Sequence, residues 1–382
     1  MNIKKIFKIN ILVLTFICLL LISSCGGKKP EYVAKKYSYF GYLDTMSYIT
    51  VQFDKKQISE VDIKYQMSKV DEILLDIERN FSIEQTDMMK SYNIEKSIVM
   101  EVNENAGKKD EAGNLIYTTV SEDFMFLLKE SIKISEMLNG TFDVTVGPLT
   151  RLWDISGQVD LPSEFVSIPT EEQVIETLKL IDYKKILIDE ENLKVALPDQ
   201  NMKLDFGAIA KGYAADKVCE YMRTLNITIA LIDLGGNIYS IGESPVTKTK
   251  MAVRNPFYSY GGTSPYQLMS AELNEVSFVT SGTYERYVVK DGVTYHHLLN
   301  PLTGYPFDNN IMSVSIIGPS SAICDGLATG IYGLGLEAGI EKIKSIDGYM
   351  GLFITSDKKV YIVGDVVFIP EDGTTEFEFI YC

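Results

Sequence analysis

The sequence predicts an α+β fold, with mixed sheets and flanking helices. Segments of period two and segments of helical period alternate irregularly, without the strict strand–helix–strand rhythm of a parallel sheet. Asp291-Gly292, set between Val289 and Val293, is the two-residue signature of an antiparallel hairpin. The chain has 382 residues, 46 % apolar and 11 % aromatic, enough to bury a sizeable core.

The amino terminus stands apart. Lys4, Lys5 and Lys8 precede an apolar run from Ile11 to Ile22, broken only by Thr15 and ending at Ser23-Ser24-Cys25-Gly26-Gly27. A basic start, a short apolar centre and small residues at a cut site make a secretory signal. The run is shorter than the roughly 20 residues a spanning helix needs. Ile22-Ser23-Ser24-Cys25 also resembles a lipobox, in which the cysteine is lipidated before cleavage. The expected organisation is therefore a signal peptide over 1–24, a lipidated Cys25 and polar spacer over 25–36, and one folded unit over 37–382. Several acyl chains on one residue anchor stably, so the expected location is the outer face of the cell membrane.

The folded unit reads in order as follows. Tyr48 to Phe53 alternates as a strand, and Ser59 to Phe81 carries the apolar period of one amphipathic helix. Residues 84–118 are polar, with Gly107 and Gly113 among charges, and read as loop or edge structure. A helix over Glu122 to Leu138 stops at Asn139-Gly140, and another follows at Glu171 to Leu180. Strands are expected at Lys185 to Asp189 and Leu193 to Leu197. A helix over Lys211 to Leu225 leads to a β-branched strand, Ile227 to Ile232, which ends in Leu234-Gly235-Gly236-Asn237. Further strands are expected at Lys250 to Arg254, Val276 to Ser281, Arg286 to Lys290 and Ser313 to Ile317. Helices over Ser321 to Leu334 and Glu337 to Ile346 precede closing strands.

Charge and cysteine content exclude several functions. A formal net charge of −16 repels a phosphate backbone, so no nucleic-acid partner is expected, nor adhesion to acidic headgroups by charge. After Cys18 and Cys25, only Cys219, Cys324 and Cys382 remain, far apart and with no CxxC or Cys/His spacing, so neither a zinc site nor a disulfide framework is expected.

Four constellations bear on chemistry. Asp325 and Thr329 lie four apart on one helix face, an all-oxygen pair suited to Mg²⁺; alone, the pair reads equally as a dipole-complementing acid and a packed hydroxyl. The only two histidines, His296 and His297, precede Leu298-Leu299-Asn300-Pro301-Leu302-Thr303-Gly304, so any histidine acid–base work belongs here, although turn residues would look the same. Leu204 to Ala214 enters a helix through Gly207 and Gly212, which allow close ligand approach without matching a Walker or dinucleotide loop. Asp233-Leu234-Gly235-Gly236-Asn237 reads as a tight turn.

In order and spacing, these segments resemble the ApbE family of FAD:protein FMN transferases. The resemblance also rests on Gly140-Thr141-Phe142-Asp143-Val144-Thr145-Val146-Gly147-Pro148-Leu149, Arg254-Asn255-Pro256 and Thr280-Ser281-Gly282, and covers about Tyr37 to Val360. It implies an ApbE-like (T-fold-like), two-lobed single catalytic unit. It implies transfer of FMN from FAD, through a phosphoester, to a threonine or serine hydroxyl of a partner protein with an FMN-binding domain, with release of AMP and dependence on Mg²⁺. Carried over by position, Asp325 and Thr329 hold the metal by side chain and Ala208 by its carbonyl. His297 deprotonates the acceptor hydroxyl. Leu43, Thr141, Phe142, Asp143, Asp205, Lys211 and Leu299 contact FAD. Two departures stand out. Leu43-Asp44-Thr45 replaces the family's Met-Gly-Thr, and Phe81-Ser82 leads into Ile83-Glu84-Gln85, where an aromatic is usual. Hydrolysis of FAD to FMN and AMP, and non-catalytic flavin binding, are the competing expectations.

Overall fold

Ile49, Val51 and Phe53 are wholly buried, while Tyr48, Thr50 and Gln52 between them stay partly open. This is the period-two pattern of a strand with one face on a core. The strand Thr45–Asp54 belongs to a nine-stranded sheet in the computed structural model, which describes residues 29–243, 249–259 and 264–382. Cys25 and the signal segment lie outside the described residues. Across the sheet the order is Tyr32–Tyr42, Thr45–Asp54, Ile229–Leu234, Asn237–Gly242, Val276–Gly282, Ile311–Gly318, Met350–Thr355, Lys359–Val363 and Glu378–Tyr381. Neighbours are antiparallel except the last pair, which is parallel. The α+β expectation holds.

Helices Lys69–Phe81, Glu122–Met137, Ala210–Arg223 and Ser321–Leu334 pack on the sheet around the largest core cluster, which includes Leu74, Phe124, Phe206, Val218, Leu327 and Ile331. A small sheet of Lys250–Arg254, Gln267–Glu272 and Ile369–Pro370 closes a second cluster around Phe278, Leu352 and Phe368. A third cluster, around Trp153, lies under helix Gly147–Trp153 and the hairpin formed by Tyr287–Lys290 and Val293–His296. Among the described residues no helix is long and apolar enough to cross a membrane.

Local signals explain the boundaries. Ser121 caps Glu122–Met137 by accepting from the Phe124 amide at 3.0 Å, and the helix stops where Asn139 and Gly140 turn left-handed. Asp291 and Gly292, both at positive φ, make the expected hairpin turn.

Several expectations need correction. The spacer ends sooner, because residues 32–36 already pair with Thr50 to Asp54. The helix expected over 59–81 is two, Glu60–Met67 and Lys69–Phe81, divided at Ser68. Residues 84–118 hold helices Asp87–Ser91 and Ile98–Asn105, capped by Thr86 and Ser97. The second buries Val99 and Val102.

Candidate functional site

Two helices meet at the centre of the site. Helix Ala210–Arg223 crosses Ser321–Leu334 so closely that a Cβ on Gly212 would lie 2.2 Å from the Ser321 carbonyl oxygen. Each helix caps the other. Asp325 Oδ2 accepts from the Gly212 amide at 2.9 Å. In return, Asp216 accepts from the amides of Ser321 and Ala322 at 2.7 and 2.9 Å, and from Ser320 Oγ at 2.8 Å. First-turn amides have no partner within their own helix, and a carboxylate there complements the dipole.

This exchange bears on Ala208. The Gly212 amide would pair with the Ala208 carbonyl if the helix ran back one more turn; it is turned to Asp325 instead. The Ala208 carbonyl is thereby left without the Gly212 amide, and the buried Asp325 carboxylate keeps an Oδ1 that Gly212 does not use. One turn on, Thr329 Oγ1 lies 3.1 Å from Ser281 Oγ on strand Val276–Gly282. Among the described residues, no three His, Cys, Asp or Glu side chains gather as a metal site. A cation here would rest on one carboxylate with carbonyl and hydroxyl oxygens, a hard donor set that fits Mg²⁺.

Asp205 is held on both sides. Its Oδ1 accepts from the Gly207 amide and its Oδ2 from Thr150 Oγ1, each at 2.8 Å. Asn103 fixes the approach to it, accepting from the Leu204 amide at 2.6 Å and donating to its carbonyl at 2.9 Å. Lys211 reaches the Gly207 carbonyl at 3.2 Å, and its charge is felt by both His297 and Glu285.

The two histidines differ sharply. The Arg286 carbonyl lies 3.1 Å from both the His297 amide and its Nδ1. A carbonyl only accepts, so Nδ1 carries the proton and Nε2 keeps its lone pair. The ring is partly open, yet the protein around it removes most of its hydration and pushes its pKa down to about 4. The cations Arg286 and Lys211 act the same way, and only the hydrogen bond opposes them. His296 turns inward, its Nε2 donating to the Phe307 carbonyl at 3.0 Å and its ring edge-on to Tyr332. It is buried among core groups, and its pKa too is lowered by desolvation.

Asp205, Ala208, Lys211, Asp325, Thr329 and His297 are thus linked through this helix pair and the segment from Ser281 to Arg286. Other candidates have structural employment. Thr141 Oγ1 donates to the carbonyls of Leu138 and Gly330, and Phe142 is in the core. Asp143 accepts from Thr145 and the Tyr183 amide, and Leu299 packs in the Trp153 cluster. Leu43 sits in the turn between the first two strands at φ 53°. Ser281, Thr150 and Glu285 join the site only through the fold. Ser281 was visible only as part of Thr-Ser-Gly. Glu285, its carboxyl pushed up by desolvation although the residue is exposed, carries no sequence signal.

Residues 48–353 match the ApbE family. The chain belongs to that family. A relative from Klebsiella pneumoniae (strain 342), named FAD:protein FMN transferase, is 32 % identical over 280 residues, covering 73 % of this chain and 82 % of its own. A protein of the same name from Treponema pallidum (strain Nichols) is 28 % identical and covers 92 % of each chain. Among solved structures, the ApbE protein of Thermotoga maritima superposes with a TM-score of 0.69 at 26 % identity, covering 91 % of this chain and 99 % of that one. The flavin transferase ApbE of Vibrio cholerae, at 23 % identity and a TM-score of 0.68, shares the fold. In this ApbE chain, Gly207, Lys211 and Gly212 lie at the helix crossing.

Proposed function

We propose that this protein transfers FMN from FAD to a threonine or serine hydroxyl of a partner flavoprotein, forming a phosphoester and releasing AMP. Membership of a family whose matched relatives bear the name FAD:protein FMN transferase supports flavin transfer. The observation carrying the chemistry is the fixed tautomer of His297, whose free Nε2 lies within the influence of Lys211.

In this reading the acceptor hydroxyl gives its proton to His297 Nε2 while its oxygen attacks the flavin-side phosphorus. The bond from that phosphorus to the bridging oxygen breaks, and AMP departs with the bridging oxygen. Lys211 sets a positive charge beside the phosphates, and Asp205, braced by Thr150 and Gly207, orients the bound flavin nucleotide. Asp325, Thr329 and the Ala208 carbonyl would hold Mg²⁺. A bound Mg²⁺ supplies neutralisation of phosphate charge. The acceptors are proteins with an FMN-binding domain, met at the outer membrane face where a lipid on Cys25 would hold the enzyme.

The test is incubation with FAD, Mg²⁺ and an FMN-binding-domain protein, read as covalent flavin fluorescence on a denaturing gel. The labelled band is expected with the native chain and lost with His297→Ala or Asp325→Ala. Release of AMP without a labelled acceptor, across several such partners, would replace transfer by FAD hydrolysis.

A further inference from the structure

The turn joining the first two strands has an unusual backbone. Tyr42 pairs with Thr45, and the two residues between them, Leu43 and Asp44, stand at φ 53° and 49°. Consecutive left-handed residues make a two-residue hairpin turn of the kind that favours glycine and asparagine, and a leucine in this conformation is uncommon. Something outside the turn must hold it.

That group is Glu78, on helix Lys69–Phe81. Its side chain is wholly buried, and its Oε1 accepts from the Leu43 amide at 2.6 Å. Its Oε2 accepts from Ser82 Oγ and, at 3.3 Å, from Thr86 Oγ1. All three partners are uncharged donors, so the carboxylate binds a turn and a loop together without a cation. Two contacts connect this clamp with the rest of the site. Ile83, in the same loop, accepts from Arg151 Nη2 at 3.2 Å, and Arg151 follows Thr150, which holds Asp205. On the other side, Thr45 closes against Gly235, where an added Cβ would lie 2.2 Å from Thr45 Oγ1. The Leu43 turn therefore lies beside the Gly235-Gly236 turn, and its position is set relative to the Asp205 segment that leads into helix Ala210–Arg223.

We infer that Glu78 is a positioning residue for flavin binding: it holds the Leu43-Asp44 turn in its left-handed form against the loop braced to the Asp205 side of the site. The inference rests on the transferase reading for the identity of the ligand, but not for the clamp itself. With a leucine at the first left-handed position, the turn depends on an outside acceptor.

The experiment compares the full chain with Glu78→Gln, Glu78→Ala, and each of these combined with Asp44→Gly. FAD affinity, the KM for FAD and kcat are measured with Mg²⁺, alongside hydrogen-exchange protection of the Leu43 amide. Glu78→Ala is expected to raise the KM and Kd for FAD about tenfold, the scale of a lost charge-assisted hydrogen bond, with kcat at saturating FAD within about twofold. Glu78→Gln keeps an acceptor for the Leu43 amide and is expected to raise KM only about threefold. Asp44→Gly, which eases one of the turn's two left-handed positions and leaves Leu43 as it is, is expected to restore part of the loss in either background. Should Glu78→Ala fail to fold, the Gln pair decides the matter. Unchanged KM in the folded Glu78 variants, a fall in kcat alone, or no rescue by Asp44→Gly overturns the inference. A native chain that binds no FAD counts against the transferase reading. Loss of Leu43 amide protection in the Glu78 variants then still tests the clamp.

Discussion

Replacing Gly212 by alanine strikes the helix crossing at its narrowest point. The new Cβ would lie 2.2 Å from the Ser321 carbonyl oxygen, 2.6 Å from its carbon and 2.8 Å from Ala322 Cα. These are backbone atoms, so no side chain can rotate away. Ordinary contact begins near 3.4 Å, so the helices must part by about 1 Å. Overpacking of this kind costs about 1–3 kcal/mol. Weakening the Gly212–Asp325 bond adds about 1.5–3 kcal/mol, and alanine's better helix propensity returns up to about 1 kcal/mol. The net destabilisation is about 2–5 kcal/mol, which lowers Tm by about 3–7 °C in a chain of this size. Activity falls further, because the parting moves Lys211 and its helix away from Asp325 and Thr329, and a 1 Å displacement at a reacting centre costs roughly a hundredfold. Thermal unfolding by circular dichroism and flavin transfer, measured on the same preparation, check both numbers. A Gly212→Ala protein that melts within a degree of the native chain and transfers flavin at full rate would refute the reasoning.

Three further outcomes are expected. With His297 pushed down to about 4, the base is already neutral through the physiological range, so kcat/KM for FAD transfer should stay flat from about pH 8 to pH 5 and fall only toward pH 4. A break near 6.5 in the pH profile would show an ordinary, hydrated histidine. The same shift makes the unfolded ring take up its proton first as pH drops below about 6.5, so stability should decline from there toward pH 4 in denaturant titrations, and His297→Gln should reduce that decline, leaving the share due to His296. Finally, if a lipid on Cys25 is the anchor, Cys25→Ala should release or mislocalise the protein while its transfer rate in solution stays intact; an inactive soluble form would mean that Cys25 is more than an address.

What was legible in the chain followed strong local chemistry. Asn139-Gly140 and Asp291-Gly292 stop a helix and turn a hairpin because few other residues adopt those dihedrals. The helices over 87–91 and 98–105 were hidden, since five and eight residues barely complete the period that reveals a helix. Within the site, Asp325 and Thr329 announced their shared face through i,i+4 spacing. Their partners did not: Ser281 lies 48 residues from Thr329, and Thr150 lies 55 from Asp205. Nor did adjacency separate His296 from His297; the fold sends one to the core and gives the other the Arg286 carbonyl. Thr141, Phe142 and Asp143 are adjacent in the chain, and their side chains brace the helix ends and the core.

The exchange of caps between Asp216 and Asp325 has a kinetic meaning. Each helix supplies an acceptor for the other's first turn, so neither amino end can fray alone. Opening one strips the other, and both ends, with Ala208, Lys211 and Asp325, form a single cooperative unit. Such a platform is rigid before any nucleotide arrives. Its ordering cost is met once, when the chain folds, and is not charged again at every turnover.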